Sequence, residues 1–333
     1  MSELQLHRSL AGGPAPLAMA IGNFDGVHLG HQTILATCLK ASRERALTPA
    51  VMTFEPMPRE LFARLKRDGT LAAPRLMSIT EKLAAFSNAG IQHAYVPRFD
   101  AAFAAQTPDA FIASFVRMNV RWLMVGEDFR FGAKRAGDVS VLREAGRLHG
   151  FSVETMADIL TDGDRVSSTA IRNALSQGDL ATATRMLGGS YSIVGRVTHG
   201  KKLGRTLGFP TANISLAPSA RRQKPALSGV FAVRCRLVTR GLEGVASKTG
   251  TVLKGVANLG TNPVVSSENR HHLEVFLFDF SGDLYGKRLE VTFIEKVRDE
   301  QKFSSLDVLV TQMHDDVLKA KNILRMNDDG PKG

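Results

Sequence analysis

Over roughly the first 190 residues, short apolar runs alternate with stripes of helical period. Leu17–Ile21 reads as a buried strand that runs into a glycine-bearing turn. A helix follows from about Gly30 to Ala46, with Ile34, Leu35, Cys38 and Leu39 on its apolar side. Thr48–Phe54 is the next strand. Ser78-Ile79-Thr80-Glu81 has the form of a capping box, opening a helix that Gly90 closes. Ile91–Val96 is strand-like, and Thr107-Pro108-Asp109 is an N-cap with proline at the first helical position. Trp122–Val125, a helix near Val139–His149, strand Phe151–Met156 and a helix from Ser168 complete five β-α repetitions. This alternation predicts a doubly wound parallel sheet with helices on both faces, whose ligands sit at the carboxyl ends of the strands.

After Gly188-Gly189 the period changes to that of strands. Tyr191–Val197, Val230–Val238, Val252–Asn258, Leu273–Phe280 and Leu289–Val297 are separated by turns bearing Gly, Pro or Asn. A helix from Ser305 to about Leu324 ends the pattern, with Leu306, Leu309, Val310, Met313 and Val317 on one stripe. A mostly antiparallel β-barrel with a C-terminal helix fits this half. The boundary falls at 187–190, giving domains 1–187 and 188–333. A length of 333 residues agrees, at roughly 150 residues per domain.

Composition narrows the class. Apolar residues at 44% and charged residues at 23% describe a globular chain, not a disordered one. No apolar run approaches the roughly 18 residues a membrane helix needs, and no signal peptide is evident over Met1–Leu10. Cys38 and Cys235 lack CxxC spacing and cannot build a disulfide framework, which points to a reducing compartment, the cytoplasm. The net charge of +11 is uneven: 21 basic and 18 acidic residues over 1–187 give +3, and 22 against 14 over 188–333 give +8. A basic excess suits an anionic partner. Without basic-aromatic interleaving, a small phosphorylated molecule fits better than nucleic acid. A basic nucleic-acid-binding protein on the same folds is the alternative.

Strand Leu17–Ile21 leads into Gly22-Asn23-Phe24-Asp25-Gly26-Val27-His28-Leu29-Gly30-His31. Gly22, Gly26 and Gly30 allow tight turns and close backbone approach to a ligand. The helix beginning there directs amide hydrogens at that space, which suits phosphate. His28 and His31 can flank one bound anion; as a pair without a third ligand they make a poor zinc site. Ser168, Thr169 and Arg172 share the first turn of a later helix, where hydroxyls cap and a guanidinium can screen a triphosphate. Asp128, after strand Trp122–Val125, is either a turn residue or a magnesium or ligand contact.

In the second half, Gly195–Lys202 approaches the P-loop pattern but puts Lys202 where a magnesium-binding hydroxyl belongs, and no helix follows. What remains is a glycine-rich cationic flap: Gly200, Lys201, Lys202, Gly204 and Arg205. Thr211 and Asn213 offer two neutral oxygens on alternate residues of an extended chain, a setting for Mg2+ completed by ATP phosphates. Strand alternation puts Glu274 on one face with Phe276, Phe278 and Phe280. Burial there would raise its pKa and suit it to taking a proton from an alcohol; the alternative is an edge glutamate reaching solvent.

GNFDGVHLGHQ, TFEPMPRE, VGEDFRFGAKRAGD and VSSTAIR, in this order, resemble the nucleotidylyltransferase half of the bacterial bifunctional riboflavin kinase/FMN adenylyltransferases, or FAD synthetases. GKKLGRTLGFPTANI, GVFAVRC, GVANLGT, LEVFLFDF, GDLYGKRLEV and KFSSLDVL resemble the riboflavin kinase half. The resemblance implies a Mg2+-dependent enzyme that makes FMN from riboflavin and ATP, and FAD from FMN and ATP. It implies transition-state roles for His28, His31 and Arg172, and a base role for Glu274 on the ribityl 5′-hydroxyl. It further implies nucleotide contacts by Gly22, Phe24, Asp25, Gly26, Gly30, Asp128, Ser168, Thr169, Gly200, Lys201, Lys202, Gly204, Arg205 and Asn258, with Thr211 and Asn213 on the metal. Met57 stands where the family usually has histidine, Asn262 where it commonly has arginine, and the loop Thr239–Thr251 is longer than usual. These departures leave open that one activity alone is retained.

Overall fold

The computed structural model describes residues 4–12, 15–66, 68–200, 207–216, 225–240, 246–261 and 271–326. It divides into two compact units, Met1–Ala73 with Ile79–Ser167, and Pro74–Ser78 with Ser168–Gly333.

The first unit holds β1 (Gln5–His7), β2 (Leu17–Ile21), α1 (Leu29–Glu44), β3 (Thr48–Met52), α2 (Pro58–Lys66), α3 (Ile79–Ala89) and β4 (His93–Tyr95). It continues with α4 (Ala101–Ala104), α5 (Pro108–Arg117), β5 (Val120–Gly126), α6 (Val139–His149), β6 (Ser152–Met156) and the small hairpin β7 (Leu160–Thr161) and β8 (Asp164–Arg165). Strands β1–β6 form the expected parallel sheet, in the order β1-β4-β3-β2-β5-β6. Every residue of β2 is buried, as a central strand covered on both faces requires. From β2 the chain winds outward through β3 and β4, then returns to place β5 on the other side of β2. That reversal opens a crevice at the carboxyl end of β2, the start of the glycine turn.

Local signals placed α1, α3, α5 and α6, whereas α2, α4 and, in the second unit, the helix Leu180–Leu187 were not expected. Thr107 caps α5 by accepting a hydrogen bond from the Ala110 amide at 3.2 Å, and Gly150 closes α6 in the left-handed region at φ 75°. The edge strand β1 lacks any apolar alternation. Its support is tertiary: the Gln5 amide donates to Gln92, the His7 carbonyl accepts from Val96, and the His7 ring stacks on Tyr95 at 4.5 Å.

The second unit holds α7 (Ser168–Gln177), α8 (Leu180–Leu187), β9 (Ser192–Thr198), β10 (Thr211–Ser215), β11 (Gly229–Arg240), β12 (Ala246–Thr261), β13 (His271–Leu277), β14 (Arg288–Arg298) and α9 (Leu306–Met326). The six strands close into an antiparallel barrel in the order β10-β13-β12-β11-β14-β9. Phe231, Val233, Leu259, Leu273, Val275, Val291 and Phe293 alternate into its filled interior. On the outside, α9 covers Val230, Ala232, Val256 and Phe278 with Val317, Ala320, Ile323 and Leu324. The covering stripe lies further along α9 than the expected one, since Leu306 is exposed. Three more expectations change. Thr211–Ser215 is a sixth strand, and β13 stops at Leu277, so Phe280 lies beyond the alternation. Much of the expected loop Thr239–Thr251 is a strand ladder, with Val238 opposite Lys248 and Thr239 opposite Ser247. Its polar, glycine-bearing sequence hides the strand period.

Among the described residues, no helix is long and apolar enough to cross a membrane. Both cysteines are buried and unbridged, and burial pushes each thiol up to about 12.

Candidate functional site

At the carboxyl end of β2 the backbone is unusual over a few residues. Phe24 and Val27 adopt left-handed φ values of 47° and 41°, and Gly26 one of 84°. Such conformations in non-glycine residues cost about 1–3 kcal/mol each and persist only where surroundings hold them. Here the hold comes from several directions. The buried Asp25 carboxylate accepts from the Arg59 guanidinium at 2.8 Å, and the Phe24 ring meets Phe86 edge-on at 5.1 Å. The Asn23 carbonyl accepts from Lys82 Nζ at 2.7 Å and from Thr53 Oγ1 at 3.2 Å.

The turn delivers His28 to the N-cap of α1, where no side chain caps the helix and no acidic residue occupies the first turn. A dipole end of this kind favours an anion. The His28 and His31 rings stack with centroids 3.7 Å apart and planes 22° from parallel. Gly30 makes room for this, since a Cβ there would stand 3.3 Å from the His28 ring. Burial, then the charges of His28 and Lys82, hold the His31 pKa well below 6.5, so its imidazole is neutral at pH 7. The structure thus gathers Gly22, Phe24, Asp25, Gly26, His28, Gly30 and His31 at one strand end. Asp128 is exposed in the turn after β5, its Oδ1 3.1 Å from where a Cβ on Gly126 would stand.

Four aromatic residues gather near the same sheet end; Phe54 belongs to the TFEPMPRE motif, and the other three carried no motif signal. Phe54 follows β3, Phe99 follows β4, Phe103 lies in α4, and Phe62 projects from α2 with 47% exposure. Phe99 is 5.5 Å from Phe54, 5.5 Å from Phe103 and 6.0 Å from Phe62. Met57 is buried, and its amide donates to the Glu60 carboxylate at 3.1 Å as α2 begins. The departure from histidine therefore places an apolar side chain in packing.

Ser168, Thr169 and Arg172 open α7 in the second unit. Thr169 is exposed, Ser168 and Arg172 are half-buried, and Arg172 Nε donates to the Pro74 carbonyl at 2.7 Å.

On the barrel, register decides which side chains meet. Asn213 lies opposite Thr198 on one side and Glu274 on the other, and Glu274 lies opposite Asn258. Directly opposed residues share a face with Cβ atoms about 5 Å apart. Thr198, Asn213, Glu274 and Asn258 thus form a polar row across four strands. Thr211 stands one step along the same face, opposite Phe276. Phe209 packs edge-on against Phe276 at 5.3 Å. Burial raises the Glu274 pKa, with the nearby His272 charge partly opposing. Gly200 approaches so closely that a Cβ there would overlap the Asn213 side chain. Lys201, Lys202, Gly204, Arg205 and Asn262 lie outside the described residues. Among the described residues, no three His, Cys, Asp or Glu side chains are grouped to hold a metal ion.

Two family models match the chain, FAD synthetase over residues 13–170 and riboflavin kinase over residues 187–324. A bifunctional riboflavin kinase/FMN adenylyltransferase from Haemophilus influenzae is 44% identical over 306 residues, covering 91% of this chain and 93% of its own. The protein so described from Escherichia coli K12 is 43% identical, covering 91% of each. A solved structure described as a macrolide-efflux protein from Streptococcus pneumoniae superposes with a TM-score of 0.74 at 27% identity, covering 93% of this chain and 96% of its own.

Proposed function

The chain belongs to the bifunctional riboflavin kinase/FMN adenylyltransferase family, and from that premise we propose how its residues divide the two reactions. It is a transferase that converts riboflavin and ATP to FMN, then FMN and ATP to FAD with release of pyrophosphate. We divide the work at 187/188, adenylyl transfer before and phosphoryl transfer after.

In the adenylyl step an FMN phosphate oxygen attacks the ATP α-phosphorus as the bond to pyrophosphate breaks. That nucleophile is already ionised at pH 7 and needs no base. What it needs is positioning and positive potential around the pentavalent centre. His28, His31 and the first amides of α1 supply these, and Ser168, Thr169 and Arg172 take the ATP phosphates. Gly22, Phe24, Asp25, Gly26, Gly30 and Asp128 shape the nucleotide cleft. The exposed face of Phe62 and its aromatic neighbours suit the flavin ring.

In the kinase step the ribityl hydroxyl is neutral, so a base has a purpose. Glu274 takes its proton as the oxygen attacks the γ-phosphorus and ADP leaves. Asn258 and Asn213 flank that carboxylate, and Gly200 to Arg205 wrap the phosphates. Thr211 and Asn213 would hold Mg2+, which neutralises charge on the transferring phosphoryl group. The substrates are small molecules with no nucleic-acid partner, and two free thiols fit a cytoplasmic enzyme.

One observation carries this division. The carboxylate of the histidine turn, Asp25, is engaged by Arg59, whereas Glu274 lies opposite Asn213 and Asn258 and keeps a raised pKa against the nearby His272 charge. The purified chain, given riboflavin, ATP and Mg2+, should yield FMN and FAD on chromatography. His28→Ala should stop at FMN, and Glu274→Ala should convert supplied FMN but not riboflavin. Loss of both reactions in either folded variant would refute the assignment.

A further inference from the structure

Lys82 is an anomaly of its helix. On α3 it shares the buried stripe with Phe86, one turn on, and it is completely inaccessible to solvent. A methionine or leucine would fill the position without the desolvation cost of an ammonium. The two side chains grip adjacent residues of the β2 turn. Lys82 Nζ donates to the Asn23 carbonyl at 2.7 Å and reaches Thr53 Oγ1 at 3.4 Å, while Phe86 supports the Phe24 ring. Phe24, held at positive φ, in turn lies 5.2 Å from the His31 ring. His31 Nδ1 has no hydrogen-bond partner among the described residues, so no bond at that atom fixes the ring. Packing and field must do so.

We propose that Lys82 is a positioning residue of adenylyl transfer, holding the Asn23–Phe24 turn and through it the orientation and charge state of His31. The inference rests on the adenylyl-transfer reading of that site. Among the described residues, the charges that bear on His31 are His28, stacked on it, and Lys82 across the turn; the carboxylate of the same turn, Asp25, is engaged by Arg59. A fixed cation beside an imidazole disfavours its protonation, so removing the cation raises its pKa. His31 then becomes charged at a higher pH.

The test uses Lys82→Met and Lys82→Arg in the full chain. Unfolding of the first unit, followed at the single buried tryptophan, Trp122, is the control of folding, and riboflavin phosphorylation is the control of the second unit. Lys82→Met should lower kcat for FMN adenylylation by about tenfold or more, with KM for FMN little changed. The acid limb of that pH profile should move to higher pH, and Lys82→Arg should restore both rate and limb in part. An unshifted profile with a wild-type rate overturns the proposal. So does equal loss of rate in both variants without a shift. Where Lys82→Met abolishes both reactions, the His31 ring resonance of the wild-type enzyme decides, and titration at or above 6.5 overturns the proposal. A wild-type chain that makes FMN but never FAD would instead overturn the adenylyl-transfer reading itself.

Discussion

Single residues in the histidine turn are balanced between local preference and site geometry, and Gly30 separates the two. It lies within α1, where alanine is favoured over glycine by about 1 kcal/mol. Its missing Cβ is also the space beside the His28 ring, 3.3 Å away. Gly30→Ala should leave the melting temperature within a few degrees of wild type while lowering adenylylation by about tenfold, with phosphorylation intact. Calorimetry and the two separate assays check this. Candidate residues stand out in a motif for a physical reason: glycine, histidine and hydroxyl residues cluster in sequence because one turn or helix start presents them together. Arg59 lies in the TFEPMPRE motif, but its pairing with Asp25, 34 residues away, was not legible, and Lys82, whose partner Asn23 is 59 residues away, carried no motif at all. Phe62 and Phe99 come together only when separate strand ends do.

Local punctuation marks many of the elements, though α2 and α8, the latter capped by Asp179 and closed by Gly188, were not read as separate helices, and the most weakly patterned strands were missed. The Thr107–Pro108 start and the Gly150 stop are satisfied within a few residues of chain. The short strand β1 and the polar ladder between β11 and β12 exist only through pairing. The C-terminal helix shows the same dependence in its energetics. Asp316 sits on the buried stripe of α9, where an apolar residue is expected, because Arg298 of β14 donates to it from Nε at 2.8 Å and from Nη2 at 2.7 Å. Asp316→Ala would leave that guanidinium largely buried without its carboxylate, a change costing about 3 kcal/mol or more. Denaturant unfolding should show this loss, with phosphorylation failing at lower denaturant than adenylylation. Arg298→Met together with Asp316→Leu should recover most of it.

For the whole molecule, protonation links the parts. Burial lowers the pKa of His7, His31 and His93 below the ordinary 6.5. The unfolded chain therefore takes up these protons at higher pH than the fold does, and stability falls as the pH drops from about 6.5. Glu274 works in the opposite sense, because its raised pKa returns stability as pH falls toward that pKa. Melting temperatures at about pH 5.5 should lie below those at pH 7.5, and His7→Gln with His93→Gln should flatten the slope. What the sequence by itself determined was the kind of each half and the chemistry it carries. Hydrophobic period, caps, glycine turns and family motifs are all properties of neighbours along the chain. What only the tertiary structure decided was which side chains face one another. Barrel register put Asn213, Glu274 and Asn258 in one row, and sheet order opened the crevice where α3 reaches the histidine turn. Pairing between distant segments is set by closure and packing of the whole core, and local patterning does not encode it.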